Sequence, residues 1–260
     1  MVTATLDHTR FAEDWQQWHA ARNDALRQPL GWLSLTALHW LDENPTEFDE
    51  APGSWHVDGD TVVHAAGSQV VTYAPVEGAA GLEVRFERGY VEIIRRTGRF
   101  AIRVHDRNAP ALVAFTEVPV YEPDTKWVLT GRFEAFDESR TVTTGAVVDG
   151  LEHHHSAAGL VRFGHDGSEH TLVAFGEAGG PLRVLFTDAT SGVTTYPAAR
   201  KLDLGIPAEN NAVTLDFTRA ENLPCAFTDA ATCPIAPTEN RLPFAVEAGE
   251  RNPRTPQNRE

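Results

Sequence analysis

The stretch YVEIIRRTGRFAIRVHD, residues 90–106, decides the fold class of this chain. Phe100, Ile102 and Val104 fall on every second position, which is typical of a strand with one buried face. Between its two apolar halves stands Thr97-Gly98, and a glycine-containing pair adopts the backbone of a two-residue hairpin turn at little cost. The stretch therefore predicts an antiparallel hairpin.

Two further stretches repeat this plan. SWHVDGDTVVHA, residues 54–65, predicts a turn at Asp58-Gly59, and LVRFGHDGSEHTLVAF, residues 160–175, predicts one at Asp166-Gly167. Additional strands are predicted at residues 127–133, 141–148, 182–186 and 212–217. Short strands joined by turns indicate a mainly β protein, built as an antiparallel barrel or sandwich of hairpins.

The N-terminal region has a helical pattern instead. Phe11, Trp15, Trp18 and Arg22 recur at spacings that place them on one face of a helix, which we expect to end before Pro29. A second short helix is predicted after Ser34, carrying Leu35, Leu38 and Leu41.

These patterns predict one domain. Residues 1–50 would form an N-terminal helical cap, residues 51–250 the antiparallel β domain, and residues 251–260, which contain no aliphatic side chain, a disordered tail. The length of 260 residues fits one large β domain.

The charge of the chain argues against two classes of partner. With 37 acidic and 22 basic residues the formal net charge is −15, which disfavours binding to nucleic acid and to anionic membrane surfaces. The first residues lack the basic and apolar regions of a secretory signal, so we expect a cytoplasmic protein. The oligomeric state and any cofactor stay open.

A cluster of arginines in the central hairpin is one candidate anion site. Arg95, Arg96, Arg99 and Arg103 lie within nine positions, and the planar guanidinium group matches carboxylate and phosphate. Arg103 and Asp106 would lie at the rim of such a site. The alternative is a solvated strand face whose arginines form weak surface ion pairs.

A second polar group lies in FTDATSGVTTYPAARKL, residues 186–202. Its candidate site residues are Asp188, Thr190, Ser191, Tyr196 and Arg200. Hydroxyl and carboxylate groups beside glycine form the floor of a polar pocket in one interpretation, and an ordinary turn in the other.

Three consecutive histidines, residues 153–155, do not predict a metal site. Neighbouring residues on a strand point to opposite faces, and no further ligands stand at a typical spacing.

The C-terminal segment, residues 221–250, contains Cys225, Cys233 and several prolines. We expect the cysteines to be structural: buried thiols first, or a disulfide worth ~2.5 kcal/mol. Zinc would need two more ligands, and the spacing of eight positions is outside the usual range; for a reactive thiol the sequence shows neither a lowered pKa nor a nearby base. The prolines indicate a stiff loop lying across the sheet, with Asn222, Asn240 and Arg241 as hydrogen-bonding side chains.

Four blocks of the sequence resemble a bacterial and archaeal family catalogued only as domain of unknown function 1684. They are GWLSLTALHWL, RFAIRVHD, FTDATSGVTTYPAARKL and LDFTRAENLPCAFTDAATCPIAPTENRLPFAVEAGE, spread over about residues 12–250. The resemblance implies a mostly β fold and no particular reaction. Its concentration on polar loop residues favours one shared pocket.

The sequence departs from the pattern of that family at several positions. Thr218, Glu221 and Leu223 stand where the family has Asn, Tyr and Pro, and Pro197 and Ala198 stand where it has glycines. If those positions contact a ligand, a different substrate or a loss of activity is implied.

Three functions follow as hypotheses. The first is binding of a small anionic or flavin-like ligand, with Arg103 or Arg200 meeting the anion and Thr190, Ser191 and Tyr196 orienting it. The second is a small-molecule hydrolase or lyase in which Asp188 or Asp106 acts as the base. The third is a structural or interaction protein without a ligand.

Overall fold

The computed structural model describes residues 8–177 and 179–254, and it shows a mainly β protein with antiparallel sheets, as predicted. The helices are α1 (His8–Leu26) and α2 (Pro110–Ala114). The strands are β1 (Leu35–Trp40), β2 (Thr46–Phe48), β3 (Ala51–Asp58), β4 (Thr61–Ala66), β5 (Gln69–Tyr73), β6 (Leu82–Phe86), β7 (Gly89–Arg96), β8 (Arg99–Asp106), β9 (Val128–Gly145), β10 (Glu152–His165), β11 (Ser168–Phe175), β12 (Leu182–Phe186), β13 (Arg200–Gly205), β14 (Ala212–Asp216) and β15 (Glu221–Asn222).

The helix α1 confirms the first helical prediction and packs against the C-terminal half of the chain. Trp15 is buried, and its indole N–H donates to the carbonyl of Thr218 at 3.0 Å. Arg22 Nε donates to Glu250 Oε1 at 2.7 Å, and Glu250 is fully buried. The described part of the chain contains no helix that is both long and apolar enough to cross a membrane.

The second predicted helix is wrong, because residues 35–40 form the strand β1. Ser34 ends a single 3-10 turn, Trp32–Ser34, and its hydroxyl donates to the Gly31 carbonyl at 2.6 Å. The chain then extends and pairs with β8, with Leu38 opposite Arg103. The spacing of the leucines fits a helix, but pairing with a distant strand overrides this local pattern.

Two four-stranded sheets pack face to face in the first half of the molecule. Their strand orders are β1-β8-β7-β6 and β2-β3-β4-β5. Trp55 and Val62 from the second sheet join Ile93 and Ile102 from the first in one buried apolar cluster. This arrangement is sandwich-like, and it places the Thr97-Gly98 turn at one end of the sheet pair.

All three predicted hairpins are present. Thr97 and Gly98 have φ of 51° and 74°, and Asp166 and Gly167 have φ of 49° and 75°, as two-residue hairpin turns require. In the remaining hairpin, Asp58 pairs with Thr61, so the turn lies one residue later than predicted.

A seven-stranded sheet forms the rest of the molecule, with the order β14-β9-β10-β11-β12-β13-β15. In the described residues no ladder joins its two edges, so the sheet is open and the barrel alternative does not apply. The strands predicted at 127–133 and 141–148 are parts of one strand, β9. Its residues 136–139, of which 137–139 are polar, bulge opposite Ala158 of β10, which explains why they resemble a break between strands.

The C-terminal segment crosses this sheet and is joined to it by polar side chains. Asn240 donates to the carbonyls of Val173 and Leu185 at 2.9 and 2.8 Å, and its Oδ1 accepts the Val173 N–H at 2.7 Å. Strands β11 and β12 pair directly only at Phe175 and Arg183. The Asn240 amide therefore bridges the two strands where their ladder is open.

The predicted tail, residues 251–260, falls largely on residues 255–260, which lie outside the described residues. Its first residues bond to the body of the protein. Arg251 N–H donates to Pro119 O at 2.8 Å, and Asn252 N–H donates to Thr194 O at 3.0 Å.

Candidate functional site

A polar cleft of about 730 Å³ lies between the first sheet, β10 and the C-terminal segment. This cleft, called the arginine cleft below, is lined by Trp32, Glu77, Gly78, Ala79, Ala80, Glu92, Arg96, Arg103, Glu152, His153, His154, Leu223, Pro224, Ala231, Thr232, Cys233 and Pro234. Its volume lies within the range of small-molecule binding sites.

Arg103 is the most deeply placed charged group of the cleft, with only 3% of its surface exposed. Nη1 donates to Glu92 Oε2 at 3.3 Å, and Nη2 donates to Thr232 Oγ1 at 3.1 Å. Its Nε is buried without a hydrogen-bond partner among the described residues. The strand β8 and the C-terminal segment thus fix the guanidinium group in place while leaving one of its donors unused.

Glu92 lies opposite Arg103 in the ladder between β7 and β8. Burial raises the pKa of Glu92, but the adjacent His105 and Arg103 outweigh burial and lower that pKa overall. His105 is itself fixed by the Ser34 hydroxyl, 2.9 Å from its Nδ1, and by stacking on Tyr90. Glu92 is therefore a carboxylate at neutral pH, and it is a weak proton acceptor.

Arg96 is the second arginine of the cleft and is half-buried. Burial lowers its pKa, and the positive charge of Arg103 lowers it further. Nη1 donates to the carbonyl of Arg95 at 2.7 Å, and no acidic group lies within ion-pair distance of Arg96 among the described residues. The nearby Glu77 carboxylate accepts the N–H groups of Thr97 and Gly98 instead.

His153 forms part of the opposite wall, where its Nε2–H donates to the carbonyl of Thr232 at 2.6 Å. Burial lowers the pKa of His153, and the charges of Arg96 and Arg103 lower it further. The ring is therefore neutral at pH 7. His154 also lines the cleft, and its Nδ1 lies 2.9 Å from Thr143 Oγ1.

The histidines do not complete a metal site in the described part of the chain. There, no three or more His, Cys, Asp and Glu side chains come together in an arrangement that could bind a metal ion. His155 stacks near His153, with ring centroids 6.1 Å apart.

The two cysteines lie beside the cleft as buried thiols that are not joined by a disulfide. Cys233 lines the cleft, and its sulfur accepts the backbone N–H of Cys225 at 3.2 Å. Tyr196 contacts Cys225, and burial followed by the charge of Cys225 raises the pKa of Tyr196. Tyr196 thus lies behind the cleft wall and does not line the cleft.

Asp188, Thr190 and Arg200, predicted as pocket residues, form a separate buried cluster. Arg200 Nη2 donates to Asp188 Oδ2 at 2.8 Å, and both residues are almost fully buried. Asp188 Oδ1 accepts from the Thr190 hydroxyl at 2.6 Å and from Val246 N–H at 3.2 Å. This cluster joins β13 to the C-terminal segment, away from the cleft.

The other predicted site residues are dispersed. Ser191 accepts the Asp188 N–H at 3.1 Å, Asn222 donates to Arg251 O at 2.8 Å, and Arg241 is exposed. Asp106 accepts the Asn108 N–H at 2.8 Å and lies 3.2 Å from Arg88. Of the predicted ligand-binding residues, Arg103 lines the cleft, and Cys233, which was predicted to be structural, lines it as well.

Glu92 and His153 were not among the predicted site residues, although the sequence carries a signal for Glu92. A two-residue turn at Thr97-Gly98 pairs Arg96 with Arg99, and counting back along both strands pairs Glu92 with Arg103. His153 has no comparable signal, because its partner Thr232 is 79 positions away.

A larger depression of about 840 Å³ near the β10–β11 hairpin is a weaker candidate. Its Arg162 is already paired with Glu134 at 2.8 Å and with Glu169 at 3.3 Å, and all three side chains are well exposed. Such pairs are weak and screened by solvent, and the other arginine of the depression, Arg132, is exposed as well, so its charge is also screened by solvent.

Fold and site together define a mainly β protein of antiparallel sheets with a polar, arginine-lined cleft. The chain belongs to the family described as protein of unknown function (DUF1684), whose model matches residues 113–251. That range includes His153 and the C-terminal segment but not Glu92, Arg96 and Arg103, and the blocks GWLSLTALHWL and RFAIRVHD lie before it.

One solved structure similar to this chain is the solution NMR structure of an uncharacterized protein from Haloarcula marismortui. It is 26% identical, the match covers 53% of this chain and 77% of that chain, and the TM-score is 0.44. No curated protein matches this chain.

Proposed function

We propose that this protein binds a small anionic ligand in the arginine cleft. The observation that carries the proposal is Arg96, a half-buried guanidinium group without an acidic partner in the described chain, beside the fixed Arg103. A half-buried guanidinium group with no carboxylate at ion-pair distance favours a ligand carboxylate or phosphate, which the planar group binds through two hydrogen bonds.

The neutral His153 and the exposed Trp32 support the same proposal. His153 is bonded to Thr232 through Nε2–H, so its other ring nitrogen is an acceptor that can orient a hydroxyl group of the ligand. Trp32 is 43% exposed at the rim, where its ring offers a flat apolar surface. An anion that carries a ring would use both the charge and this surface.

Binding is favoured over catalysis at this site. The carboxylate beside Arg103 is Glu92, and its lowered pKa makes it a poor general base at neutral pH. Asp188 and Asp106, the predicted bases, do not line the cleft. The flavin-like alternative was based on a barrel class, and the open sheet removes that basis, so a flavin enters only as a probe.

Thermal unfolding with paired probes tests the proposal. Flavin mononucleotide and riboflavin differ by one phosphate, and benzoate and benzamide differ by one charge. A probe at 100 times its dissociation constant stabilises by ~2.7 kcal/mol. We expect at least one charged probe to raise the melting temperature while its neutral counterpart does not.

Two matched variants locate the effect. Arg96→Ala should weaken binding of that probe by about tenfold or more, because a charged hydrogen bond contributes ~1.5–3 kcal/mol. Arg99→Ala removes the same charge from the same hairpin, but Arg99 stacks on Trp40 outside the cleft and should leave affinity unchanged. Equal shifts from charged and neutral probes, or equal losses in both variants, would contradict the proposal.

A further inference from the structure

The two cysteines form a close pair in an otherwise thiol-free protein. The chain contains 2 cysteines, and the sulfur of Cys233 lies 3.2 Å from the backbone nitrogen of Cys225. That nitrogen is two bonds from Cys225 Cβ, and both buried side chains belong to one cluster with Ala231. The two cysteine side chains are therefore already neighbours.

The surroundings of the pair favour a thiolate on Cys225. The hydrogen bond from the Cys233 thiol lowers the pKa of Cys225, burial opposes this, and a hydrogen bond from the Tyr196 hydroxyl lowers it further. The hydrogen bond to Cys225, together with burial, raises the pKa of Cys233. The pair thus loses its first proton more easily than an isolated buried thiol, with Cys233 as the donor to Cys225.

Only one of the two sulfurs has access to the cleft. Cys233 is part of the cleft wall, whereas Cys225 does not line it. Both residues lie outside the strands, Cys225 in the 3-10 turn Pro224–Ala226 and Cys233 just before Pro234, where its carbonyl accepts the Val147 N–H at 3.0 Å. A small adjustment at either residue does not break a strand ladder.

We propose that Cys225 and Cys233 are a modification site, at which a hydroperoxide entering the arginine cleft converts the dithiol to an intramolecular disulfide. The Cys225 thiolate acts as the base that takes the proton of the Cys233 thiol, a transfer against the preference of the pair that puts the reacting thiolate on the sulfur lining the cleft. The Cys233 sulfur then attacks one peroxide oxygen, the O–O bond breaks, and hydroxide leaves a sulfenic acid on Cys233.

The second step closes the disulfide. The Cys225 sulfur attacks the Cys233 sulfur, the S–O bond breaks, and a second hydroxide leaves. The two hydroxides take up the two thiol protons, so two thiols and one hydrogen peroxide give one disulfide and two waters. The dithiol is oxidised by two electrons, and the peroxide is reduced.

The disulfide would also change the wall that positions the arginine side chain. Thr232, adjacent to Cys233, accepts from Arg103 through its hydroxyl and from His153 through its carbonyl. A shift of Cys233 towards Cys225 moves both contacts. Oxidation should therefore alter anion affinity by several-fold, an effect that rests on the proposed function.

Mass spectrometry of the intact, native protein tests the modification without any ligand. After brief treatment with hydrogen peroxide, denaturation and alkylation, we expect unalkylated protein that has lost two hydrogen atoms, with residues 225 and 233 joined within one chain. Alkylation at both cysteines after a dose that oxidises free glutathione would overturn the proposal. So would disulfide-linked dimers or sulfinic acid as the main product.

Variants separate this mechanism from general oxidation. Tyr196→Phe removes the hydroxyl that stabilises the Cys225 thiolate, the group that attacks the sulfenic acid in the second step, and should slow disulfide formation several-fold, whereas Tyr73→Phe, on β5, should not. Cys233→Ser should leave Cys225 as a free thiol, and rapid oxidation of Cys225 there would contradict entry through Cys233. If Cys233→Ser does not fold, the oxidation products of the wild type and the rates of the two tyrosine variants test the mechanism.

A disulfide that leaves the affinity for the charged probe unchanged would refute only the proposed effect of oxidation on the cleft.

Discussion

Glu92 on β7 and Arg103 on β8 are direct cross-strand partners, and Glu92 Oε2 lies 3.3 Å from Arg103 Nη1. Arg103 is 4% exposed at its side chain and Glu92 is 17% exposed, so water screens this pair little. The carboxylate offsets most of the cost of burying the guanidinium group. The same carboxylate competes with any anion that enters the cleft.

Glu92→Gln should therefore destabilise the protein. The change leaves the Arg103 charge buried with Thr232 as its remaining side-chain partner, and breaking a buried pair from one side costs ~3 kcal/mol. Urea unfolding measures this loss. Glu83→Gln, in the exposed pair with Arg85, should lower the free energy of unfolding by less than ~1 kcal/mol. Equal losses in the two variants would contradict the larger contribution of the buried pair.

The same variant should bind the charged probe more tightly. Removing the competing carboxylate frees Arg103 Nη1, next to the Nε that already lacks a partner, so we expect a dissociation constant lower by about tenfold. Isothermal titration of Glu92→Gln against wild type gives this number. A weaker or unchanged affinity would indicate that Arg103 does not contact the probe.

Asp188→Asn should be among the most damaging single substitutions. Arg200 would remain charged at 1% exposure with only carbonyl acceptors left, a loss of ~3–5 kcal/mol. Asp203→Asn, whose side chain is 59% exposed beside Lys201, is the control. Guanidinium unfolding of both variants separates the roles, and near-wild-type stability of Asp188→Asn would show that Arg200 does not need this partner.

Asn240→Ala should open the contact between β11 and β12. It removes three hydrogen bonds at ~1 kcal/mol each, and it leaves the Val173 N–H and the Leu185 carbonyl without that partner. Hydrogen exchange at the Val173 amide should accelerate far more than at Leu172. Asn210→Ala, at an exposed turn, is the matched control.

His155 should make stability fall as the solution is acidified. Burial, followed by the charges of His153 and Arg183, lowers the pKa of His155 from 6.5 to about 4. A depressed folded-state pKa means that the unfolded chain binds the proton more readily. The contribution of His155 is therefore fully present above pH 6.5 and is lost as the pH falls towards 4.

His155→Gln should flatten this part of the stability profile. Unfolding free energies at several pH values between 7 and 4 give the slope, which reports the difference in protons bound. Asn210→Ala, which changes no titratable group, should keep the wild-type slope. An unchanged slope in His155→Gln would assign the acid sensitivity to other groups.

The sequence predicts the parts of the fold that depend on local chemistry. The turns at Thr97-Gly98 and Asp166-Gly167 require positive φ, and this requirement is visible in the residues themselves. The strand β1 could not be predicted in this way, because its conformation depends on pairing with β8, far along the chain. The sequence also could not predict that β9 is one strand, because its residues 136–139 bulge opposite a single residue of β10.

The candidate site could likewise be predicted only where it depends on local sequence. Arg103 was predicted from the density of arginines, and the register of the hairpin places Glu92 opposite it. Arg200 and Asp188 have the residue types of a polar pocket, but they meet inside the protein and bond to each other. Residue type does not distinguish a group that faces a ligand from one that ties two segments together.

The contact between Arg22 and Glu250 has a consequence for synthesis of the chain. Arg22 of α1 pairs with Glu250, a residue that is synthesised 228 positions later. At ribosomal rates of ~5–20 residues per second, α1 waits roughly 10 to 45 seconds with its tryptophan-bearing face uncovered. During this interval the nascent helix is a natural target for chaperones, and docking of the C-terminal segment is the event that ends its exposure.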